Sequence, residues 1–352
     1  MKRCLSLLTL SIFPLPVFAA IILQYHHVDT HTPYSTSVSP AQFVQHLNMI
    51  REEGFEVVPL QTLTRALQQH IPLPDNQLAI TFDDGYEDIY ANAYPELKKR
   101  GWPFTVFVSP TPIIAGYGDA MSWQQLQEMA AHGADILNHS HSHGHLVYTL
   151  PGENQQQWQN RIRRDIENAQ QEIRAYFPDA AKIIAYPYGE YNLALKNLLT
   201  DMGYIGIGQQ SGPLHGSSDL LALPRYPASG AYGELSSLRE KLHTRGFTLL
   251  ELNPAETLLS HAQTQPTLSI RVQKGAFLPG QVQCYASGQG AITTQVKQHG
   301  DEIIIQARAH RDLPEGRSRY NCTAPGLDKK GMYYWFSHPW LRKSAQDGWP
   351  AE

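Results

Sequence analysis

From about residue 20 to residue 250, short apolar runs alternate with segments of helical period. Ile21-Ile22-Leu23-Gln24-Tyr25-His26 has the near-continuous apolar character of a strand buried on both faces. Ser39-Pro40 combines an N-cap residue with proline at the first helical position, and Phe43, Leu47 and Ile50 then share one helix face. Gly54 ends that helix. The pattern continues with a strand over 77–82, a helix over 90–100 stopped by Gly101, and a strand over 104–108. Ser122 caps a helix ending near Gly133, and 135–138 is a strand. Ile162, Ile166, Ile173 and Phe177 mark a long helix, followed by a strand over 182–186, a helix over 192–202 and a strand over 204–207. Strands alternating with helices predict βα units around a mainly parallel sheet, either a barrel or an open sheet.

After about Gln263 the texture changes. Segments 267–272, 281–286, 291–296, 302–307 and 332–337 read as short strands between Gly, Pro and polar turns, the pattern of a small antiparallel β-sandwich. The expected organisation is therefore a leader over 1–19, a first domain over 20–252, a linker over 253–266 and a sandwich domain over 267–352. The sandwich region is rich in aromatic residues: Tyr333, Tyr334, Trp335, Phe336, Trp340 and Trp349. Such rings stack on sugars or fill a core, and core is the expectation.

Composition narrows the classes. The 352 residues, 42% hydrophobic and 17% charged, suit an ordered chain of one large and one smaller domain. A net charge of -4 without a basic stripe gives no case for nucleic acid. Lys2 and Arg3 precede the apolar run Leu5 to Phe18, and Val17-Phe18-Ala19 fits a small-residue cleavage site, so a secretory signal is expected. No later segment is long and apolar enough to span a bilayer. Cleavage would remove Cys4, leaving Cys284 and Cys322, which export would join as a disulfide. A periplasmic or extracellular address follows from the same signal; oligomeric state is not legible.

The polar motifs follow strands. Thr81-Phe82-Asp83-Asp84-Gly85-Tyr86 closes one strand, His139-Ser140-His141-Ser142-His143 another, and Pro187-Tyr188-Gly189 a third. In a barrel these positions converge on the carboxyl-end face, where active sites form. Adjacent buried carboxylates are costly unless paired or bound to a cation. His139 and His143 supply two imidazoles and one Asp a third ligand, leaving a coordination position open as in a catalytic metal site. The other Asp is then free to accept a proton. His141 and His145, also four apart, offer an alternative register. Adjacent carboxylates are poorly placed to flank a sugar ring as a glycosidase pair.

These three motifs resemble those of the polysaccharide deacetylases of carbohydrate esterase family 4, the NodB-homology domain, over roughly residues 21 to 250. The stretch from Ala185 to Asn192 is most similar to bacterial poly-β-1,6-N-acetylglucosamine deacetylases. The resemblance implies an α/β fold, a distorted incomplete (β/α) barrel. It implies Asp83 as catalytic base, Asp84, His139 and His143 as ligands of a divalent ion, with zinc the expected metal, and the backbone N–H of Tyr188 as a donor to the developing oxyanion. The family usually carries an Arg where this chain has Ala185. Arg225, in Leu223-Pro224-Arg225-Tyr226, is the candidate replacement, or else a structural ion pair. The general acid stays open between His261, in Leu259-Ser260-His261, and His26 at the end of the first strand. The function implied is N-deacetylation of N-acetylglucosamine units in an exported or cell-envelope polysaccharide, with peptidoglycan or chitin-like glycans as other substrates. A non-catalytic carbohydrate-binding protein on the same scaffold is the alternative.

Overall fold

The computed structural model describes residues 19–327, 331–345 and 348–350. Of the expected leader, only Ala19 lies within the described residues. Seven strands build the first domain: β1 Ile21–Tyr25, β2 Gln77–Phe82, β3 Phe104–Val108, β4 Ala134–Asn138, β5 Ile183–Ala185, β6 Ile205–Ile207 and β7 Tyr226–Pro227. They run in the order β7-β1-β2-β3-β4-β5-β6 with every pairing parallel, an incomplete barrel as the βα alternation anticipates. A two-residue strand, Glu56–Val57, adds to β2.

The local reasons are those the pattern suggests. β1, β3 and β5 are buried along their whole length, which is why they read as continuous rather than alternating apolar runs. Helix α1, Pro40–Glu52, starts where the Ser39 hydroxyl accepts a hydrogen bond from Gln42 N–H at 3.2 Å, and it buries Phe43, Leu47 and Ile50. The long helix α2, Gln155–Tyr176, opens with a capping box between Asn154 and Gln157 and buries Trp158, Ile162, Ile166 and Ile173. The helix expected over 90–100 divides into a π-helical turn, Ile89–Ala93, and an α-helix, Tyr94–Arg100. Pro95 lacks an N–H, so the regular hydrogen-bond ladder cannot pass through it.

The second domain is larger in strand content than its sequence suggested. One sheet contains β8 Thr244–Gly246, β10 Leu258–Leu259, β12 Gln283–Ala286, β13 Gly290–Ala291, β16 Gly316–Pro325 and β17 Tyr333–Arg342. The other holds β9 Leu249–Asn253, β11 Thr267–Gln273, β14 Thr293–His299 and β15 Glu302–Arg308. Their inner faces share a core that includes Leu268, Ile270, Val272, Ile303, Ile305, Tyr320, Tyr334 and Trp340. Leu258–Leu259, within the segment expected as linker, pairs in parallel with β17. The longest unanticipated strand is β16. Its inward row alternates small residues, Ser318, Cys322 and Ala324, with a single large ring, Tyr320, which weakens the period-two signal. Cys284 and Cys322 face each other across β12 and β16 and form a disulfide. Among the described residues no helix is long and apolar enough to cross a membrane.

Candidate active site

The site forms where β1, β2, β4 and β5 end. Asp83 leaves β2 fully buried, and Arg225, also fully buried, reaches it from the segment just before β7. The guanidinium donates through Nη1 to Oδ1 and through Nη2 to Oδ2, each at 2.7 Å, a bidentate arrangement. Gln24 Nε2 donates to Oδ2 at 2.7 Å. Arg225 is itself fixed by donation to Gly208 O at 3.0 Å and to Thr81 Oγ1 at 3.1 Å. The guanidinium that the Ala185 position lacks is thus supplied from the residue just before β7. Burial alone would raise the Asp83 carboxyl, but the charges of Arg225 and His139 and the Arg225 hydrogen bonds hold it below the usual range.

Asp84 faces the other way, as successive side chains at a strand end do. Its Oδ1 lies 3.1 Å from His139 Nε2 and 3.0 Å from His143 Nε2. Ligand atoms of these three residues all fall within 4.8 Å of one another. That Oδ1 is buried without a hydrogen bond of proper geometry, although two imidazole nitrogens face it. An orphaned carboxylate oxygen converging on two nitrogens fits a divalent ion, since tetrahedral ligands ~2.0 Å from zinc lie about 3.3 Å apart. His139 Nδ1 bonds to Ala185 O at 2.8 Å, so its Nδ1 carries the proton and Nε2 is left to coordinate.

Backbone strain concentrates here. Among the described residues, the non-glycine residues with positive φ are His70, Asp84, Ser140, His143 and Tyr188, and four of these five belong to the site motifs. Each costs on the order of 1–3 kcal/mol and persists because its surroundings over-determine it. Tyr188 adopts φ 60 and ψ 3 in the turn after β5, with its ring centroid 4.9 Å from that of His143. The next residue must be glycine. At Gly189 φ is +70, and a Cβ would meet Gln209 side-chain carbon at 2.5 Å.

The remaining candidates separate clearly. His26 Nε2 stands 3.8 Å from Asp83 Oδ2, with 17% of its side chain exposed, and burial sets its pKa below the ordinary value despite the nearby carboxylates. His261 instead faces Glu315 at 3.3 Å in the second domain. The alternative register is committed elsewhere: His141 Nδ1 lies 3.0 Å from Thr111 Oγ1, and His145 Nδ1 lies 2.6 Å from Glu190 Oε2. Sequence reasoning missed Gln24 as a partner of Asp83. A polar side chain inside the apolar run 21–25 was the available signal.

Comparison with known proteins bears on the family and the fold. The sequence pattern of the polysaccharide deacetylase family matches residues 70–207. A Bacillus subtilis relative, YxkH, named for the same family, is 29% identical over 59% of this chain and 71% of its own length. The poly-β-1,6-N-acetyl-D-glucosamine N-deacetylase of Escherichia coli is 23% identical over 60% of this chain, but the matched stretch spans only 37% of that protein. Among solved structures, the Streptococcus pyogenes deacetylase PplD, in complex with acetate, superposes with a TM-score of 0.56 at 24% identity, covering 64% of this chain and 99% of that one. IcaB from Ammonifex degensii gives 0.55 at 24% identity over 63% and 96%. The structural likenesses establish the fold. Residues 70–207 thus match the polysaccharide deacetylase family, and the fold is the one these solved deacetylases share.

Proposed function

We propose that the protein is a metal-dependent N-deacetylase acting on N-acetylglucosamine units of an exported or cell-envelope polysaccharide. The observation that carries this reading is the division of labour between neighbouring carboxylates. Asp83 is clamped by Arg225 and Gln24, while Asp84 converges with His139 and His143. Asp84, His139 and His143 would hold the ion, with zinc the best match to two imidazoles and one carboxylate. When bound, the ion supplies Lewis-acid polarisation and eases deprotonation of water near neutral pH.

The chain's own groups account for the proton movements. A carboxylate offers about four lone-pair directions. Arg225 and Gln24 occupy three on Asp83, leaving one on Oδ1 to take the proton as water attacks the acetamido carbonyl. Because Arg225 keeps this buried group ionised, it is ready as a base without prior titration. The backbone N–H of Tyr188 is the candidate donor to the carbonyl oxygen, an interaction worth a factor of ~10² or more in rate at comparable sites. His26 stands beside Asp83 whereas His261 faces Glu315, so His26 is favoured for the final transfer. With its pKa lowered by burial, it would take the proton that Asp83 received from water and pass it to the departing amine. The products would be acetate and a glucosamine unit.

The E. coli relative's name supports a poly-β-1,6-linked substrate. Export is supported by the leader-like residues 1–19 and by the Cys284–Cys322 disulfide, a bond characteristic of oxidising compartments. Acetate release measured on a panel of acetylated glycans tests the reading. Release from N-acetylglucosamine polymers, abolished by chelator and restored by zinc, is expected. Binding of a glycan without acetate release would identify a carbohydrate-binding protein instead.

A further inference from the structure

A column of stacked side chains runs from the catalytic turn to the carboxyl-terminal tail. The Tyr188 ring lies parallel to His145, with centroids 4.0 Å apart and planes 10° apart. His145 stacks on Tyr148 at 4.1 Å and 11°, and Tyr148 stacks on Trp349 at 4.2 Å and 9°. Cations sit at the two ends: the Arg317 guanidinium is 5.2 Å from the Tyr188 ring centroid, and Lys343 Nζ is 5.0 Å from that of Trp349. Polar contacts pin the column along its length. Glu190, only 3% exposed in its side chain, holds His145 Nδ1 at 2.6 Å, and Trp349 Nε1 donates to Thr149 O at 3.1 Å.

The column crosses three separate pieces of chain. Tyr188 belongs to the turn after β5, His145 and Tyr148 to the loop after β4, and Arg317, Lys343 and Trp349 to the second domain. Only the first of these carries the proposed oxyanion donor, and it does so in a left-handed backbone conformation that local preference opposes. A strained turn needs neighbours that hold it, and a parallel stack restricts the tilt and displacement of every ring in it. Each aromatic stack corresponds to roughly a 2- to 12-fold effect on an equilibrium constant beyond burial.

We infer that the second domain positions the catalytic turn: Trp349, through Tyr148 and His145, holds Tyr188 in its left-handed conformation. Trp349 is a positioning residue, because it acts through other side chains and has no contact with the metal-ligand set. The catalytic consequence rests on the deacetylase reading, whereas the mechanical claim stands on the column alone.

Hydrogen exchange separates the two. In the full-length protein, amides of the peptide covering residues 186–191 should exchange roughly 3- to 10-fold faster in Trp349→Ala, the effect expected from losing one stack and its attached contacts. Trp349→Phe, which keeps a flat ring, should restore protection. Val272→Ala, which loosens the sandwich core away from the column, serves as the control for general destabilisation. In acetate release, Trp349→Ala should lower kcat several-fold with KM and bound zinc unchanged, and Trp349→Phe should recover it. Exchange at 186–191 no faster than in Val272→Ala would overturn the mechanical claim whatever the chain's activity. Faster exchange with unchanged kcat would overturn the catalytic one. A wild-type protein that releases no acetate would refute the deacetylase reading while leaving the exchange result decisive.

Discussion

Replacing Arg225 by methionine should both destabilise the protein and silence it, for one reason. The guanidinium and Asp83 are each fully buried and joined by two hydrogen bonds of 2.7 Å. Removing one partner of such a pair leaves an uncompensated buried charge, which costs about 3–5 kcal/mol. For a domain of this size that corresponds to a fall in Tm of roughly 6–20 °C. Without Arg225, burial, the largest influence on Asp83, acts with less opposition, so the carboxyl moves upward toward its protonated form and ceases to serve as base. Asp83→Asn should incur a loss of similar size by stranding the guanidinium. The double variant Arg225→Met/Asp83→Asn removes both charges, so its stability loss should fall short of the summed single losses by at least ~2 kcal/mol. Urea denaturation followed by near-ultraviolet circular dichroism measures all three, with acetate release measured alongside. Additivity within about 0.5 kcal/mol would show that the two side chains do not depend on each other, and the argument for an Arg225-held base would fail.

Two further outcomes follow from groups outside the site. His46 is fully buried, its Nε2 bonded to Gly233 O at 2.6 Å and its Nδ1 placed 3.1 Å from Tyr25 OH, and burial pushes its pKa down to about 4. The unfolded chain then binds the proton more tightly, so this contribution is complete above the unfolded value of about 6.5 and is lost as pH falls toward 4, amounting to roughly 3 kcal/mol. Tm measured between pH 7 and pH 4.5 should therefore fall more in the wild type than in His46→Gln; equal slopes would refute the assignment. Opening the Cys284–Cys322 link, whose cysteines are 38 residues apart, should cost about 4 kcal/mol in the chain-entropy picture, read as a lower urea midpoint for the doubly alanine-substituted protein.

How far the sequence could be read depended on whether a feature was local. Buried strands such as β1 and β3 announce themselves by continuous apolar runs, and the motifs that follow them land on one rim because parallel strands share one carboxyl end. Asp84, His139 and His143 were legible for that reason, and the structure brings their ligand atoms together. Arg225 was readable as a strand-end cation, but its bidentate grip on Asp83 depends on β7 pairing with β1, a fact of topology. Gln24 reaches Asp83 because β1 and β2 align Gln24 with Thr81, a register that no single segment encodes. The positions of His26 and His261 had the same character: the tripeptide around His261 could not tell that it lies beside Glu315, while His26 lies beside Asp83. In the second domain, β16 escaped notice because its inward residues include serine and cysteine, and β10 because its two residues pair with a strand much further along the chain. Of the aromatic tail, Tyr334 and Trp340 are core as expected, whereas Trp349 joins the stacked column.

The central claim is that neighbouring carboxylates divide their work, Asp84 gripping an ion with two imidazoles while Asp83 remains a free base. Zinc binding by calorimetry, performed on wild type, Asp83→Asn and Asp84→Ala beside acetate release, tests it most directly. The account predicts one zinc bound by wild type and by Asp83→Asn, acetate from wild type alone, and neither zinc nor acetate with Asp84→Ala. Equal loss of zinc in the two variants, or undiminished zinc binding by Asp84→Ala, would contradict it.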